Sequence, residues 1–150
     1  MIKEVNNLYI RLMEKKDKKE VKEMMYVFYH SPAVLSDGSC EIYENDIEAC
    51  IGNNPFIEGY VFEENHTILG YSMISRSFST EFGKPCIWIE DIYVKEEYRN
   101  KGIGKKFFEF IENKYSGCLF RLEAEQENEK AIEFYRKCGF GILPYLELKK

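Results

Sequence analysis

No stretch of this chain reaches the roughly 18 consecutive apolar residues from which a membrane-spanning helix is read, so no transmembrane segment is expected. The opening residues, MIKEVNNLYIRLMEKK, lack the apolar core of a secretory signal. A cytoplasmic location follows as the expectation. No C-x-x-C pair occurs, and the five cysteines (Cys40, Cys50, Cys86, Cys118 and Cys138) are odd in number and scattered. This argues against a disulfide framework and against a structural zinc site, and no metal is expected. Cys86 and Cys118 fall in apolar, strand-like runs, where a thiol behaves as a small hydrophobe. Histidine is scarce as well: His30 and His66 are the only two, both in loop or turn contexts, so no cysteine has an evident activating base. Positive charge is not in excess. The net charge of −5 disfavours broad nucleic-acid binding. Repeats, low-complexity tracts and Pro/Gly-rich linkers are also missing, which with 150 residues points to a single domain over residues 1–150.

What is present reads as a mixed α/β fold. Tyr9 to Met13 is strand-like. Asp17 with Glu20 makes a capping-box pattern, and Val21, Met24, Met25 and Phe28 then recur at helical spacing until Ser31-Pro32 breaks the helix near His30. Asn45 with Glu48 repeats the capping pattern for a shorter helix ending at Gly52-Asn53. Two strands, residues 57–63 and 67–77, are joined by a turn at Glu64-Asn65-His66. A loop over residues 78–85 leads into an apolar strand from Ile87 to Val94, and a helix follows with Ile103, Phe107, Phe110 and Ile111 on one face. Residues 119–124 read as a strand, residues 128–138 as a helix with Gly139 just past its end, and residues 140–148 as a last strand interrupted by Pro144. The order is β-α-α-β-β-β-α-β-α-β, a central mixed sheet with helices on both faces.

The most informative stretch is CIWIEDIYVKEEYRNKGIGK, residues 86–105. Glycines at a helix start let the backbone approach a ligand, and the free N–H groups there attract an anion, most often phosphate. Arg99, Lys101, Lys105 and Lys106 add positive charge at the same place, in contrast to the acidic run Glu123, Glu125, Glu127 and Glu129. A Walker A loop is excluded: Gly83-Lys84 precedes Pro85, and Gly104-Lys105 precedes Lys106 with no glycine five positions before Gly104. A Rossmann fingerprint fails because no third glycine follows Gly102 and Gly104, and about 90 residues precede them.

Arg99-x-x-Gly102-x-Gly104, after an Asp-Ile-Tyr-Val strand end, resembles the acetyl-CoA-binding motif of the GCN5-related N-acetyltransferases. Asn128-Glu129-Lys130-Ala131-Ile132-Glu133-Phe134-Tyr135-Arg136-Lys137-Cys138-Gly139-Phe140 is similar to that family's second signature, N-x-x-A-x-x-(F/L)-Y-x-x-x-G-F. The two motifs stand in the family's order, about 30 residues apart. The pattern departs at the end, where only about ten residues follow Gly139 and the usual last hairpin is short or missing. The resemblance implies an acetyl-CoA-dependent N-acetyltransferase. Backbone groups of Ile92, Tyr93 and Val94 would pair with the pantetheine arm of coenzyme A, and an N–H near Val94 would polarise the thioester carbonyl. Amides of Arg99, Asn100, Lys101, Gly102, Ile103, Gly104 and Lys105 would hold the pyrophosphate, with charge from Arg99 and Lys101. Asn128 would touch the pantetheine arm, Glu90 would be the general base, and Tyr135 would protonate the departing thiolate.

Physical reasoning bears on the same residues. Strand alternation puts Glu90 beside Trp88, Ile92 and Val94, where burial would raise its pKa toward that of a useful base, and turns Asp91 to the other face as a structural group. A bulge in the strand would swap the two. An alkylamine is mostly protonated at neutral pH, so something must take its proton. Tyr135 shares a helix face with Ile132 and Cys138 and has a packing role as its alternative. For the acceptor, Tyr26, Tyr29, His30 and Glu41, with Tyr43, offer aromatic and acidic groups suited to a small cationic amine, together with the loop over residues 77–84. An exposed sheet edge or the C-terminal strand offers a route to a homodimer. The rival class is an acyl-CoA-binding or regulatory module with weak turnover, which needs neither Glu90 nor Tyr135.

Overall fold

The computed structural model describes residues 7–150; residues 1–6, which open the stretch read above as lacking a signal, lie outside the described residues. In chain order the described elements are β1 (Tyr9–Leu12), α1 (Lys18–Tyr29), α2 (Cys40–Ile51), β2 (Ile57–Glu64), β3 (Thr67–Ser79), β4 (Lys84–Val94), α3 (Ile103–Lys114), β5 (Leu119–Leu122) and α4 (Glu129–Lys137). The five strands form one sheet in the order β1-β2-β3-β4-β5, antiparallel throughout except for the parallel β4–β5 pair. β3 and β4 run further than expected, and the loop read over residues 78–85 shrinks to a hairpin turn at 80–83.

Period-two alternation along β2 assigns the faces. Val61, with Tyr71, Met73 and Tyr93, packs on Val21, Met24, Met25 and Phe28 of α1 and on Tyr43 and Ile47 of α2. Tyr60 and Phe62, with Ile74, Ile87 and Ile89, pack on Ile103, Phe107, Phe108 and Ile111 of α3, with Phe134 and Tyr135 of α4 at the margin. Helices therefore cover both faces, as the sequence pattern predicts. Each of these buried side chains contributes on the order of 1.5–3 kcal/mol.

Three local expectations are corrected. Asp17 does not cap α1. Its buried carboxylate takes both terminal nitrogens of Arg11, at 2.7 and 2.9 Å, and the Glu14 amide at 2.8 Å. The second helix begins at Cys40 rather than near Asn45, because the extended Ser39 supplies the cap: its hydroxyl accepts from the Ile42 amide at 3.2 Å. The last strand does not form. Residues 140–150 carry no regular structure, Pro144 removes a ladder donor, and Ile142, Leu146 and Leu148 stay 69, 84 and 84% exposed. Among the described residues no helix is long and apolar enough to cross a membrane.

Candidate active site

The site is built around an irregularity in β4. Met73 pairs with Asp91 and Ile74 with Ile89, so Glu90 is an extra residue with no partner on β3. A bulge of this kind reverses the inside–outside alternation of the strand. Ile87 and Ile89 face α3, whereas Asp91 turns to the α1–α2 side. The expected environments of the two acids are consequently exchanged. Glu90 is exposed, not buried, and Asp91 is the buried carboxylate at 4% exposure.

Asp91 is held on every side. The Tyr29 hydroxyl donates to Oδ1 and the Tyr71 hydroxyl to Oδ2, each at 2.9 Å, and the Ser72 hydroxyl donates to the Asp91 carbonyl at 2.7 Å. Burial pushes the Asp91 carboxyl up to about 6; the two tyrosine hydrogen bonds oppose this, and the nearby charges of Asp46 and Glu90 add to it. Burial and the Asp91 charge in turn hold the Tyr29 phenol far above its ordinary range. Glu90 accepts a 2.6 Å hydrogen bond from the Ser75 hydroxyl.

Tyr29, Ser75, Glu90 and Asp91 line a cleft of about 370 Å³ between the sheet and the first two helices, together with Asp46, Ala49, Asn54, Phe56, Ile57 and Met73. Of the acceptor residues expected from sequence, only Tyr29 lies on it. Tyr26 and His30, one helical turn apart, stack on each other with ring centroids 4.1 Å apart on the exposed side of α1. Glu41 is exposed in the first turn of α2 and does not line the cleft, nor do residues 77–84. Asp46, Phe56 and Ser75 were not singled out. Asp46 had a signal: it sits three residues after Tyr43 and one before Ile47, next to the buried stripe of α2.

The other side of β4 has different chemistry. Pairing with β5 stops at Ile89 opposite Leu122, while β3 accompanies β4 to its end at Val94. Beyond Ile89 the β5-side edge of β4, which includes Ile92, Tyr93 and Val94, has no strand partner among the described residues. Such an edge is a template for an extended ligand. The chain then reaches α3 through Asn100 (φ 62°) and Gly102 (φ 78°), left-handed positions that glycine occupies at no steric cost. The first α-helical bond of α3 is Lys106 N–H to the Gly102 carbonyl, which leaves the amides of Ile103, Gly104 and Lys105 in the open first turn. No acidic residue occupies that turn, so an anion meets amide dipoles without a competing carboxylate. Gly104 serves packing as well: a Cβ there would stand 2.8 Å from Phe134 Cζ, so glycine leaves the space that the Phe134 ring of α4 occupies.

The basic side chains are partly engaged. Arg99 Nε donates to the Val94 carbonyl at 2.9 Å and its guanidinium lies 5.7 Å from the Tyr93 ring centre, while Lys101 Nζ sits 5.4 Å from that of Tyr98. Asn128 caps α4 through the Ala131 amide at 3.4 Å. Tyr135 is half-buried among Phe108, Phe134 and Phe140, with centroids 6.2, 5.6 and 6.2 Å away, and burial raises its phenol. It stands on the α3–α4 side of the sheet, across β4 from the cleft that holds Glu90.

Residues 20–140 match the acetyltransferase (GNAT) family. The chain is 35% identical over 99 residues to thialysine N-epsilon-acetyltransferase of Sus scrofa and 36% identical over 101 residues to that of Mus musculus; each match covers 59% of this chain and 58% of the relative. The chain thus spans less than two thirds of the length of these relatives. Its fold superposes on a possible acetyltransferase from Clostridium difficile 630 with a TM-score of 0.81, at 19% identity over 97% of both chains. It superposes on aminoglycoside N-acetyltransferase AAC(6')-Iy, solved in complex with CoA, with a TM-score of 0.79 at 14% identity over 96% of this chain and 94% of that one. At these identities the structural likeness speaks for the fold, and the family match covers most of the sequence. The chain belongs to the GNAT acetyltransferase family.

Proposed function

We propose that this chain transfers the acetyl group of acetyl-CoA directly to the nitrogen of a small, cationic primary amine. The observation that carries the reading is the placement of Glu90. As the extra residue of the β4 bulge it lines an acidic cleft, while the same strand, a few residues on, offers an unpaired edge leading into an acid-free helix N-terminus. One strand thus joins an amine-compatible cleft to a cradle suited to an extended, phosphate-bearing ligand.

On this reading the amides of Ile103, Gly104 and Lys105 hold the pyrophosphate, supported by the turn Arg99, Asn100, Lys101 and Gly102. The backbone of Ile92, Tyr93 and Val94 pairs with the pantetheine arm, and Asn128 lies alongside it. When bound, acetyl-CoA supplies a thioester carbonyl as electrophile. Glu90, directly or through water, takes a proton from the incoming ammonium and leaves a nucleophilic amine. As the carbon–nitrogen bond forms and the carbon–sulfur bond breaks, the nitrogen loses a second proton and sulfur gains one. Tyr135 gives sulfur that proton and is reprotonated, through solvent, by the one the nitrogen loses, while Glu90 returns its own to solvent; burial raises the phenol, which is protonated at neutral pH. The products are the N-acetylated amine and the free thiol of CoA, with one proton released overall.

The test is thiol release from acetyl-CoA across a panel of mono-, di- and polyamines, alongside calorimetry of CoA binding. Release that depends on the amine supports the proposal. Tight CoA binding without release from any amine contradicts it and favours an acyl-CoA-binding module.

A further inference from the structure

We propose that Asp46 makes this site selective for amines that carry a second cationic centre in addition to the nitrogen that is acetylated. The inference rests on the function proposed above and concerns which amines that cleft accepts.

The three carboxylates of the cleft differ in what already satisfies them. Asp91 has a tyrosine hydroxyl on each oxygen, and Glu90 has the Ser75 hydroxyl. Asp46 is half-buried on α2, and its carboxylate has no hydrogen bond or ion pair with any other described residue. Among the described residues no lysine, arginine or histidine lines the cleft to offset these charges. The cleft itself stands on other grounds than its acids: it is a cavity of about 370 Å³ with Phe56, Met73 and Ala49 as apolar wall.

Charge balance through the reaction then discriminates between amines. A monoamine enters as an ammonium, and its single positive charge disappears when Glu90 takes the proton. Glu90 becomes neutral as well, so Asp46 and ionised Asp91 are left in the same partly desolvated cleft with no substrate ammonium at the moment of attack. A substrate with a second ammonium keeps one positive charge in the cleft throughout. Asp46 is the group with free acceptor capacity to receive it, and the apolar wall suits the methylene chain between the two nitrogens. Opposite charges in a partly buried cleft are screened far less than at an open surface.

The experiment compares 1,4-diaminobutane with butylamine on wild type, Asp46→Asn and Asp46→Glu, measuring kcat/KM by thiol release and amine affinity by calorimetry. Wild type is expected to favour the diamine by about tenfold or more, chiefly through KM. Asp46→Asn should bring the diamine-to-monoamine ratio close to unity, and Asp46→Glu should restore most of it. If both amines are acetylated but the ratio is near one in wild type, or is unchanged in Asp46→Asn, the inference is overturned and the proposed reaction stands. If diamine affinity depends on Asp46 but neither amine releases thiol, recognition by Asp46 is supported and the proposed reaction fails.

Discussion

Ile89 and Asp91, separated by one residue on β4, face opposite sides of the sheet: Ile89 packs against α3, and Asp91 accepts hydrogen bonds from Tyr29 and Tyr71 on the other face. A regular strand would place both on one side. The residue between them, Glu90, absorbs the irregularity and stands at the cleft. The bulge thus puts two adjacent carboxylates at one site in different environments, one buried and tied down, the other exposed and available for proton transfer.

Asp91 gives the protein a pH-dependent stability of recognisable sign. Its carboxyl is raised from 3.8 to about 6 by burial, so its contribution is fully present below the unfolded value and is lost as pH rises through the folded one. The shift corresponds to about 3 kcal/mol at most. Asp91→Asn should therefore gain stability relative to wild type as pH rises between 3.8 and about 6. Denaturant titrations of both proteins through that window check this; a constant difference between them would mean that Asp91 does not titrate there.

Arg11 and Asp17 predict the opposite sign. Burial alone would raise the Asp17 carboxyl, but the Arg11 guanidinium and the Glu14 amide together hold it below its ordinary value of 3.8. Its contribution is present above the unfolded pKa and is lost as pH falls through the folded one. With Arg11 10% and Asp17 3% exposed, Asp17→Asn removes one of the two carboxylates on a poorly solvated guanidinium, Glu63 remaining at 3.2 Å from Nε, and should cost about 1–3 kcal/mol at neutral pH. That cost should shrink below pH 3.8, measured by the same titrations.

Gly102 and Gly104 should respond differently to alanine. Gly104→Ala drives a methyl to 2.8 Å from the Phe134 ring, so that ring must shift in its packing against α3. The expected cost is about 1–3 kcal/mol, accompanied by weaker CoA binding in calorimetry. Gly102→Ala meets no neighbour within 4 Å among the described residues but is strained at φ 78°. Its cost is about 1–2 kcal/mol, with α3–α4 packing intact by near-ultraviolet circular dichroism.

Much of this arrangement is legible in the sequence, and what is not has a common cause. The start of α3 is readable because glycines, basic residues and a helical apolar stripe coincide within residues 99–111. The bulge is not, since it arises from the register of Met73 and Ile74 against β4, a non-local pairing that leaves no mark on IEDIYV itself. The expected burial of Glu90 failed for that reason. Tyr26, His30 and Glu41 have the right chemistry on the wrong side of their helices, while Asp46 was hidden by its place beside an apolar stripe. The tail over residues 140–148 has strand-like composition but carries no regular structure, Pro144 removing a ladder donor within it.

Tyr135→Phe removes the proton proposed for the departing sulfur and little else, because the ring keeps its contacts with Phe108, Phe134 and Phe140. Turnover should fall by about 10²-fold or more with CoA affinity unchanged. Equal loss of turnover and CoA affinity would assign the tyrosine to packing instead.

The central claim is that Glu90, the residue expelled by the bulge, is the base. It is tested most directly by Glu90→Gln, which preserves shape and the Ser75 contact while removing the negative charge. Thiol release should be followed with the best acceptor amine at saturating acetyl-CoA, from neutral to alkaline pH. The account predicts a fall in kcat of about 10²-fold or more at neutral pH, partly recovered at high pH, where the amine is already deprotonated. Full activity of Glu90→Gln at neutral pH would contradict it.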